Sequence, residues 1–376
     1  MGSESLLRAY VDLPAGLDVI DWAARNRRDE APDLAPWGLH RLGEFGVTPH
    51  WRPPLLTRAA GNEPRAELAW TRLAARAAAT VRHRTSGLEL LELGRDLPSR
   101  QRRQADVAFS YDERTGVPSA LLPAHLGPPT VTGVGWLTTP AAAPPGQRRL
   151  ARRALPRAAA VFTQCRPILD LLVTEWRVPP ARAHFVPFGI DADFYREQPW
   201  PADPTPTVVS AGEDRFRDHD LLIDALESLG DRFAGLGLEL ATEMSVRPCR
   251  LVTQYRERLG GRMRELYRRA GVVALALKPT PTGSGLSVIL EAMASGRPVV
   301  VTANPGLDDY VRDGVDGLLV PSGDRAAFAA AVGELLADPD RARWMGANGA
   351  RRVRERFTSR VMAERLAGVI RTAVPG

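Results

Sequence analysis

The chain of 376 residues is poor in the residue types that build disulfide or zinc-stabilised proteins. It has only two cysteines, Cys165 and Cys249, which lie far apart with no metal-ligand spacing, so we expect both to be reduced packing residues. No stretch approaches the roughly 20 apolar residues that a membrane-spanning helix needs. Residues 1–16 lack the apolar core of a signal peptide. These absences favour a cytoplasmic enzyme without an integral membrane span.

Lysine is nearly absent as well, because Lys278 is the only one and arginine carries almost all of the positive charge. The formal net charge of +6 suits an anionic ligand. The arginines are scattered and show no helix-turn-helix or zinc-finger spacing, which argues against nucleic acid as a partner. We expect the basic runs at residues 100–103 and 152–157 to be solvated helix faces. The sequence contains no GxGxxG, so a nicotinamide cofactor has little support.

Strand-like and helix-like runs alternate along the chain, which is typical of parallel sheets covered by helices on both faces. A segment at residues 195–207 holds four prolines and no periodicity, as a linker would. We therefore predict an α/β protein with two doubly wound, Rossmann-like domains facing across a cleft, at residues 1–198 and 199–357. A C-terminal helix at residues 358–376 is expected to return to the first domain. The predicted strands are residues 6–13, 47–51, 106–112, 129–137, 158–164, 183–189, 207–213, 238–244, 272–277, 298–303 and 317–322.

A glycine-rich loop before an apolar helix is the most informative motif, in the stretch GSGLSVILEAMASGRPVVV at residues 283–301. The N-terminus of a helix beginning near Gly285 presents N–H groups and positive partial charge, which attract phosphate. Glycine lets an anion approach the backbone closely. Glu291, less than two turns into the helix, is placed to accept hydrogen bonds from a vicinal diol such as a ribose. The alternative is an ordinary loop followed by an exposed glutamate.

The sequence GLSVILEAMASGRPVVVTANPGLDDYVRDGVDGLLVPSGD at residues 285–324 resembles the C-terminal domain of retaining glycosyltransferases of the GT-B fold, family-four type. HFVPFGIDADFY at residues 184–195 is similar to the hinge segment of that family. The resemblance covers residues 160–376 well, and residues 1–159 only in their strand–helix order. It implies a nucleotide-diphosphate sugar donor, whose ribose is held by Glu291. The N–H groups expected to face the diphosphate belong to Gly285, Leu286 and Ser287.

Two departures from the family concern charge at the end of the second domain's first strand. The family carries an arginine there, where this sequence has Glu213, and a lysine a few residues on, where this sequence has Arg217. Arg217 is our candidate for binding phosphate, and Arg215 is the candidate for supplying the missing charge. The alternative for both is an ordinary exposed arginine. With Lys278, they form the predicted catalytic set.

A third departure concerns the donor sugar. The family has a second glutamate eight positions before Glu291, where this sequence has Gly283. The sugar contact is then missing or comes from Ser284, Thr282 or Lys278. The identity of the donor sugar is left open by this change.

The resemblance also implies how the reaction is assisted. Cations and helix N–H groups directed at the leaving diphosphate replace the metal ion of other transferases, so neither a metal nor another cofactor is expected. Retention of the anomeric configuration is implied by the resemblance alone. The acceptor is expected on loops that follow strands of the first domain. The candidate acceptor residues are Gly16, Asp112, Glu113 and Trp136.

Each of these acceptor candidates has an alternative role. Asp112 or Glu113 suits a general base, but also the cap of the next helix. Trp136 suits stacking on a sugar, but also packing in the core.

The leading hypothesis is a glycosyltransferase that moves a sugar from a nucleotide-diphosphate donor to a small-molecule or glycan acceptor. Natural-product (secondary metabolite) and cell-surface glycan biosynthesis are both compatible settings. The alternatives are a catalytically degenerate GT-B partner protein and a GT-B nucleotide-sugar epimerase. A phosphorylase is disfavoured because Lys278 alone would have to form its pyridoxal Schiff base.

Overall fold

The structure is a computed structural model that describes residues 6–52, 76–201 and 206–374. The chain divides into two compact units. The first unit contains residues 1–22, 39–187 and 363–376, and the second contains residues 23–38 and 188–362. Residues 23–38 thus group with the second unit, which the sequence did not suggest.

The first unit is built on a six-stranded parallel sheet with the order β2-β1-β3-β4-β5-β6. Its strands are short and mostly buried, as expected where helices cover both faces of a sheet. The strands are β1 (Leu7–Asp12), β2 (Val47–Trp51), β3 (Val107–Ser110), β4 (Thr130–Gly133), β5 (Ala160–Thr163) and β6 (Ala183–Phe185).

The second unit repeats this construction with the order β12-β11-β10-β7-β8-β9, again with all strands parallel. Along β10 the side chains alternate between two apolar clusters: Val273 and Leu275 join one, and Val272 and Ala274 join the other. Both faces of the sheet are therefore covered, which explains the continuous apolar run in the sequence. The strands are β7 (Thr207–Ala211), β8 (Gly237–Ala241), β9 (Val252–Tyr255), β10 (Val272–Leu275), β11 (Val299–Thr302) and β12 (Leu318–Val320).

Helices connect most successive strands. Residues 76–84 are also helical, and Pro36–Phe45 forms a 3₁₀ segment. The labelled helices are α1 (Val19–Arg27), α2 (Leu90–Asp96), α3 (Arg100–Gln104), α4 (Glu113–Ala120), α5 (Pro145–Ala154), α6 (Arg166–Thr174), α7 (His219–Glu227), α8 (Met263–Arg269), α9 (Leu286–Ala294), α10 (Arg325–Ala337), α11 (Pro339–Arg356) and α12 (Ser359–Thr372). Within the described ranges, none of these helices is long and apolar enough to cross a membrane.

The strand order reverses direction once in each sheet. In the first sheet the chain moves from β1 to β2 and then returns to the other side of β1 with β3. In the second sheet it moves from β7 through β8 to β9 and returns beside β7 with β10. At such a point the loops leaving the two central strands diverge and leave a crevice, which is where open α/β sheets bind ligands.

The α/β class and the two parallel sheets are as predicted, and every predicted strand is present, most of them shortened. The structure differs from the prediction in a few elements. Strand β9 was not predicted. Residues 64–84 have helical spacing in the sequence, which predicts a helix. The structure has a helix over residues 76–84, and residues 64–75 lie outside the described residues.

The expectation that residues 100–103 form a solvated face is wrong for Arg102. Its side chain is fully buried and donates hydrogen bonds to Asp12 Oδ2 at 2.9 Å and to the Ser119 hydroxyl at 2.7 Å. A helix of five residues shows no sequence period that would distinguish an inward arginine from its solvated neighbours.

Candidate anion-binding site

The candidate site begins where β7 ends, at Gly212. This glycine has φ +136°, and a Cβ on it would lie 2.0 Å from Nε of Arg217. A side chain at this position would therefore occupy the space of the arginine. Glycine is needed here both for the backbone conformation and for the close approach of Arg217.

Arg217 is held in place through its own backbone and its neighbours. It forms an isolated antiparallel bridge with Leu277. The Lys278 N–H donates to the Phe216 carbonyl at 2.7 Å, and the Asp218 N–H donates to the Ala276 carbonyl at 3.0 Å. The segment after β7 is thus tied to the segment after β10. β7 and β10 are neighbours in the sheet, and the strand order reverses between them.

The Arg217 side chain is 6% exposed, so the alternative of an ordinary exposed arginine is wrong for this residue. Nε lies 3.0 Å from Asp214 Oδ2. Among the described residues, neither Nε nor NH1 has a hydrogen-bond partner. Burial lowers the pKa of the guanidinium, and the charge of Asp214 acts in the opposite direction. A buried cation with unsatisfied donors is costly, and an anion bound beside it would offset that cost.

The N-terminus of α9 lies next to this guanidinium. Its cap is Gly285, in the left-handed conformation with φ +90°, and no side chain caps the helix. A Cβ on Gly285 would lie 3.1 Å from NH1 of Arg217. The Leu286 N–H donates to the Gly283 carbonyl at 3.3 Å, whereas Ser287 at the helix start is exposed. The N–H of Leu286 is therefore engaged in the turn, in contrast to its predicted role.

Asp214, which the sequence did not single out, organises the cluster. Its Oδ1 accepts the Ser284 hydroxyl at 2.9 Å and the Phe216 N–H at 3.0 Å, while Oδ2 lies beside Arg217. One carboxylate thus orients the arginine and ties the loop before α9 to the loop after β7. An aspartate among several other charged residues carries no sequence signal for this role.

The loop between β10 and α9 is fixed by buried hydroxyl and amide groups. The Asn304 amide donates to the Lys278 carbonyl at 3.0 Å and accepts from the Thr280 N–H at 3.4 Å. The hydroxyls of Thr280 and Thr282 are 2.8 Å apart. Thr282 and Ser284 are therefore buried and engaged within the loop, whereas Lys278 is exposed. Of the alternatives predicted for the sugar contact, Lys278 retains the most accessible side chain.

Gly283, where the family has a glutamate, packs against Leu286. A Cβ at this position would lie 2.5 Å from Leu286 Cδ1. Leu286 is 5% exposed and so occupies the space into which a longer side chain would begin. At the position where the family has a glutamate, this chain therefore has a glycine packed against a buried leucine.

Glu291 lies in the second turn of α9 and is bound by two tyrosines. Its Oε2 accepts the Tyr267 hydroxyl at 2.9 Å, and Tyr195 also donates to it. Burial raises the pKa of Glu291 to about 7, against the opposing effect of the two tyrosine hydroxyls. Tyr267 is close enough to Arg217 for its charge to affect the tyrosine pKa. Contact with a ribose remains a prediction, and the tyrosines that orient Glu291 were not anticipated.

Arg215 and Lys278, the other predicted catalytic cations, do not share the contacts that hold Arg217. Arg215 is exposed, and its guanidinium lies 4.8 Å from the centre of the Phe216 ring. Glu213 forms an exposed ion pair with Arg258 at 3.3 Å. A role for Arg215 or Lys278 in catalysis remains a prediction.

The Gly212 carbonyl is held by two further residues that sequence reasoning missed. Thr242 donates its hydroxyl to this carbonyl at 2.8 Å, and His219 Nε2 lies 3.2 Å from it. Burial lowers the pKa of His219. Both residues stabilise the unusual backbone at Gly212. The sequence offered one signal for this feature, which is that Gly212 directly follows the first strand of the second unit.

In the first unit, Asp112 and Glu113 serve as structural acceptors. Asp112 caps α4 by accepting the Arg114 N–H at 2.9 Å, and pairs with the Arg114 side chain at 2.7 Å. Glu113 is 2% exposed and accepts the N–H groups of Gly135 at 3.0 Å and Trp136 at 2.9 Å. Burial raises the pKa of Glu113. A general base role for either acid remains a prediction.

Gly16 and Trp136, the other acceptor candidates, are both accessible. Trp136 is 51% exposed, so the alternative of core packing is wrong. Gly16 has φ +95° and lines a cavity of about 770 Å³.

Sequence comparisons find relatives of the region that contains the candidate anion-binding site. Residues 205–338 match the family described as glycosyl transferases group 1. The D-inositol 3-phosphate glycosyltransferase of Xylanimonas cellulosilytica is 36% identical over 206 residues, covering 47% of this chain and 48% of that protein. The chain therefore spans about half the length of this curated relative.

Solved structures are similar over nearly the whole chain. Sucrose-phosphate synthase from Thermosynechococcus elongatus has a TM-score of 0.67 at 18% identity, covering 97% of this chain and 98% of that one. HepE from Anabaena, solved in complex with UDP-glucose, has a TM-score of 0.60 at 17% identity, covering 97% and 99%. At these identities the likeness shows the fold alone, and it confirms the predicted GT-B architecture.

Proposed function

We propose that the protein is a glycosyltransferase whose second unit binds a nucleotide-diphosphate sugar with the diphosphate against Arg217 and the N-terminus of α9. The buried Arg217 guanidinium carries this proposal, because its Nε lies beside Asp214 while NH1 has no hydrogen-bond partner among the described residues. The group 1 domain match at residues 205–338 and the UDP-glucose bound by HepE support it.

The chemistry of glycosyl transfer suits this arrangement. As the bond between the anomeric carbon and the phosphate oxygen breaks, negative charge accumulates on the leaving diphosphate. A preorganised guanidinium and helix N–H groups stabilise that charge without having to reorient. The arginine fork pairs with two phosphate oxygens at once. Asp214 keeps the fork oriented and leaves NH1 available for the anion.

The remaining roles follow from the same assignment. Glu291, held by Tyr267 and Tyr195, is the proposed contact for the ribose hydroxyls. Lys278 is the proposed contact for the donor sugar, since Thr282 and Ser284 are engaged within the loop. Retention of configuration rests on the family resemblance. The curated relative acts on D-inositol 3-phosphate by its name, which makes a small cyclic polyol a reasonable class of acceptor for this chain.

Calorimetric titration of the full chain tests the proposal. UDP, GDP, dTDP and ADP are each titrated into the wild-type protein, Arg217→Ala and Arg217→Lys. At least one diphosphate should bind. Arg217→Ala should weaken that binding about tenfold or more, since hydrogen bonds to charged groups contribute roughly 1.5–3 kcal/mol. Lysine should restore part of the affinity because it keeps the charge but loses the fork.

Arg269→Gln is the matched control. This arginine lies on α8 and pairs with Glu239 at 2.7 Å, away from the cluster around Asp214. It should bind the nucleotide as the wild type does. Equal affinity of Arg217→Ala and the wild type, or no binding of any diphosphate, would contradict the proposal.

A nucleotide-sugar-binding partner protein without transfer activity is the second candidate. Leu286 in the space beside Gly283 favours it, because no carboxylate approaches the donor sugar from that position. Tight diphosphate binding without transfer or hydrolysis of any sugar nucleotide would identify this function.

A further inference from the structure

Helix α5 and the 3₁₀ turn that follows it carry a run of arginines without acidic neighbours in the sequence. Residues 114–169 contain seven arginines and no aspartate or glutamate, although the whole chain holds 44 acidic residues. Five of the seven lie on α5 and on the turn Leu155–Arg157. We call these five side chains the basic face: Arg148, Arg149, Arg152, Arg153 and Arg157.

The basic face lies opposite the side of α5 that packs into the protein. Ala151 and Ala154 are fully buried in an apolar cluster of the first unit. The arginines at positions 148, 149, 152 and 153 cover about 140° on the other side of the helix, at 100° per residue. Arg148 is partly buried, and the other four arginines are exposed. The basic face is therefore directed to the surface of the first unit.

The positive charges of the basic face are not compensated within the described ranges, where none of the five arginines forms an ion pair. Arg148 and Arg152 are four positions apart, as are Arg149 and Arg153. Like charges at this spacing destabilise a helix. An anionic surface held against α5 would offset the repulsion.

The surroundings of α5 increase this charge. Arg182, which is exposed, donates a hydrogen bond at 3.5 Å to the carbonyl of Ala158, directly after the turn. Elsewhere on the first unit, exposed arginines have carboxylate partners: Arg8 pairs with Asp106 at 3.3 Å, and Arg41 pairs with Glu44 at 3.2 Å. The excess of positive charge is thus local to α5 and its end.

The segment before α5 is uncharged and partly exposed. Residues 134–147 contain no charged side chain, and Ala141, Ala142, Pro144 and Pro145 are exposed. Basic residues beside exposed apolar groups are typical of proteins that bind anionic membrane surfaces. Nucleic acid, in contrast, is contacted mainly by charged and polar groups. The uncharged segment therefore favours a lipid surface over nucleic acid as the partner of the basic face.

We propose that the first unit binds the surface of an anionic lipid bilayer, with lipid phosphate groups paired to the basic face. The arginines extend over about three helical turns, which suits a plane of repeated phosphates better than one phosphate. Each guanidinium can pair with two phosphate oxygens. Because the apolar side of α5 packs within the protein, binding depends on charge at the headgroups and not on insertion of the helix. This property goes beyond the proposed function and does not depend on it.

Sedimentation of the full chain with lipid vesicles tests the proposal. The vesicles are phosphatidylcholine alone, and phosphatidylcholine with roughly one third phosphatidylglycerol, whose headgroup is anionic. The wild type should sediment with the anionic vesicles, and its partition coefficient should be at least about tenfold lower on the neutral ones. Raising sodium chloride from about 0.1 M to about 1 M should abolish binding, since the Debye length falls from about 10 Å to about 3 Å.

A triple variant, Arg149→Gln, Arg152→Gln and Arg153→Gln, removes three exposed charges of the basic face. Each basic residue near an anionic leaflet strengthens binding about fivefold, so the partition coefficient should fall at least about tenfold. The corresponding triple lysine variant should keep most of the binding, because it keeps the charge.

The matched control is the triple variant Arg325→Gln, Arg356→Gln and Arg365→Gln. These exposed arginines lie on α10, α11 and α12 and also form no ion pair with the described residues. The control has the same net charge as the first triple variant and should sediment with anionic vesicles as the wild type does. Both glutamine variants should match the wild type in thermal stability and in UDP titration, because the changes are at the surface.

The outcomes separate this proposal from the proposed function. It is overturned if the wild type does not sediment with anionic vesicles, or if the basic-face glutamine variant binds them as the wild type does. An equal loss in the control variant would trace binding to net charge and overturn the assignment to α5. Binding to a DNA or RNA duplex but not to vesicles would identify nucleic acid as the partner and overturn it as well. None of these results changes the diphosphate titration that tests the proposed function.

Discussion

The two units have parallel sheets of the same size and the same kind of reversal, yet their strand ends carry different hydrogen-bonding groups. In the first unit, acids at the strand ends accept hydrogen bonds from the protein itself: Asp12 from Arg102, and Glu113 from two backbone N–H groups. In the second unit, Arg217 lies beside Asp214 at the start of α9, and its NH1 has no hydrogen-bond partner among the described residues. The common fold does not by itself determine a ligand, and we expect the donors and acceptors at each reversal to do so.

The largest effect on activity should follow removal of the Arg217 side chain. Arg217→Ala should lower kcat for sugar transfer by about 10²–10³-fold, the magnitude seen when one preorganised donor is lost. Steady-state assays with saturating donor measure this, with Arg217→Lys expected to recover part of the rate. Wild-type kcat and KM in Arg217→Ala would contradict a role for this arginine in the reaction, and would leave no functional difference between the charged groups of the two units.

The corresponding change in the first unit should affect stability. Glu113→Gln replaces one acceptor oxygen with an amide group that faces a backbone N–H, from either Gly135 or Trp136. The unfolding free energy should fall by about 1–3 kcal/mol, the cost of leaving a buried polar group unsatisfied. Urea denaturation measures the change. A variant as stable as the wild type would show that these hydrogen bonds are dispensable.

The pH dependence of stability should distinguish the buried glutamates of the two units. Burial raises the pKa of Glu89 and of Glu291 to about 7. An acid with a raised pKa binds its proton more tightly in the folded state. Its stabilising effect is therefore full below the unfolded pKa of about 4.5 and is lost as pH rises through about 7.

Glu291→Gln should remove part of this pH dependence, by about 1–3 kcal/mol between pH 4.5 and pH 8, because the amide does not titrate. Denaturation at several pH values measures the slope, and Glu89→Gln serves as the equivalent change in the first unit. UDP should alter the slope contributed by Glu291 and leave that of Glu89 unchanged. The same response of both glutamates to UDP would contradict the assignment of Glu291 to the nucleotide.

The smallest effect is expected at Gly283. Gly283→Ala places a Cβ 2.5 Å from Leu286 Cδ1, so this buried side chain has to shift, and the unfolding free energy should fall by about 1 kcal/mol. Gly285→Ala should cost more, because φ is +90° there and the added Cβ approaches Arg217 NH1. Thermal denaturation compares the two. Equal losses would show that neither the backbone conformation nor the arginine makes Gly285 special.

Several site residues were accessible to sequence reasoning because their role depends on local backbone geometry. Gly285 had to precede a helix that follows a strand, and Arg217 had to follow the first strand of the second unit. Asp214, Tyr195 and Tyr267 were missed, since they act through contacts that sequence spacing does not encode. Glu89 was missed for the same reason, because its partner Ala15 lies 74 positions away.

The sequence alone determined the alternation of strands and helices, because hydrophobic periodicity and glycine placement act over a few residues. It also indicated which helix begins with an uncapped, glycine-rich turn. Only the tertiary structure decided which charges are satisfied. Arg102 and Arg217 both lie in polar segments with no apolar period, and both are buried. Arg102 donates to Asp12 and Ser119, whereas Arg217 lies beside Asp214 and its NH1 has no hydrogen-bond partner among the described residues. That distinction depends on which distant acceptors the fold brings within about 3 Å, and hydrogen bonds form only at such distances.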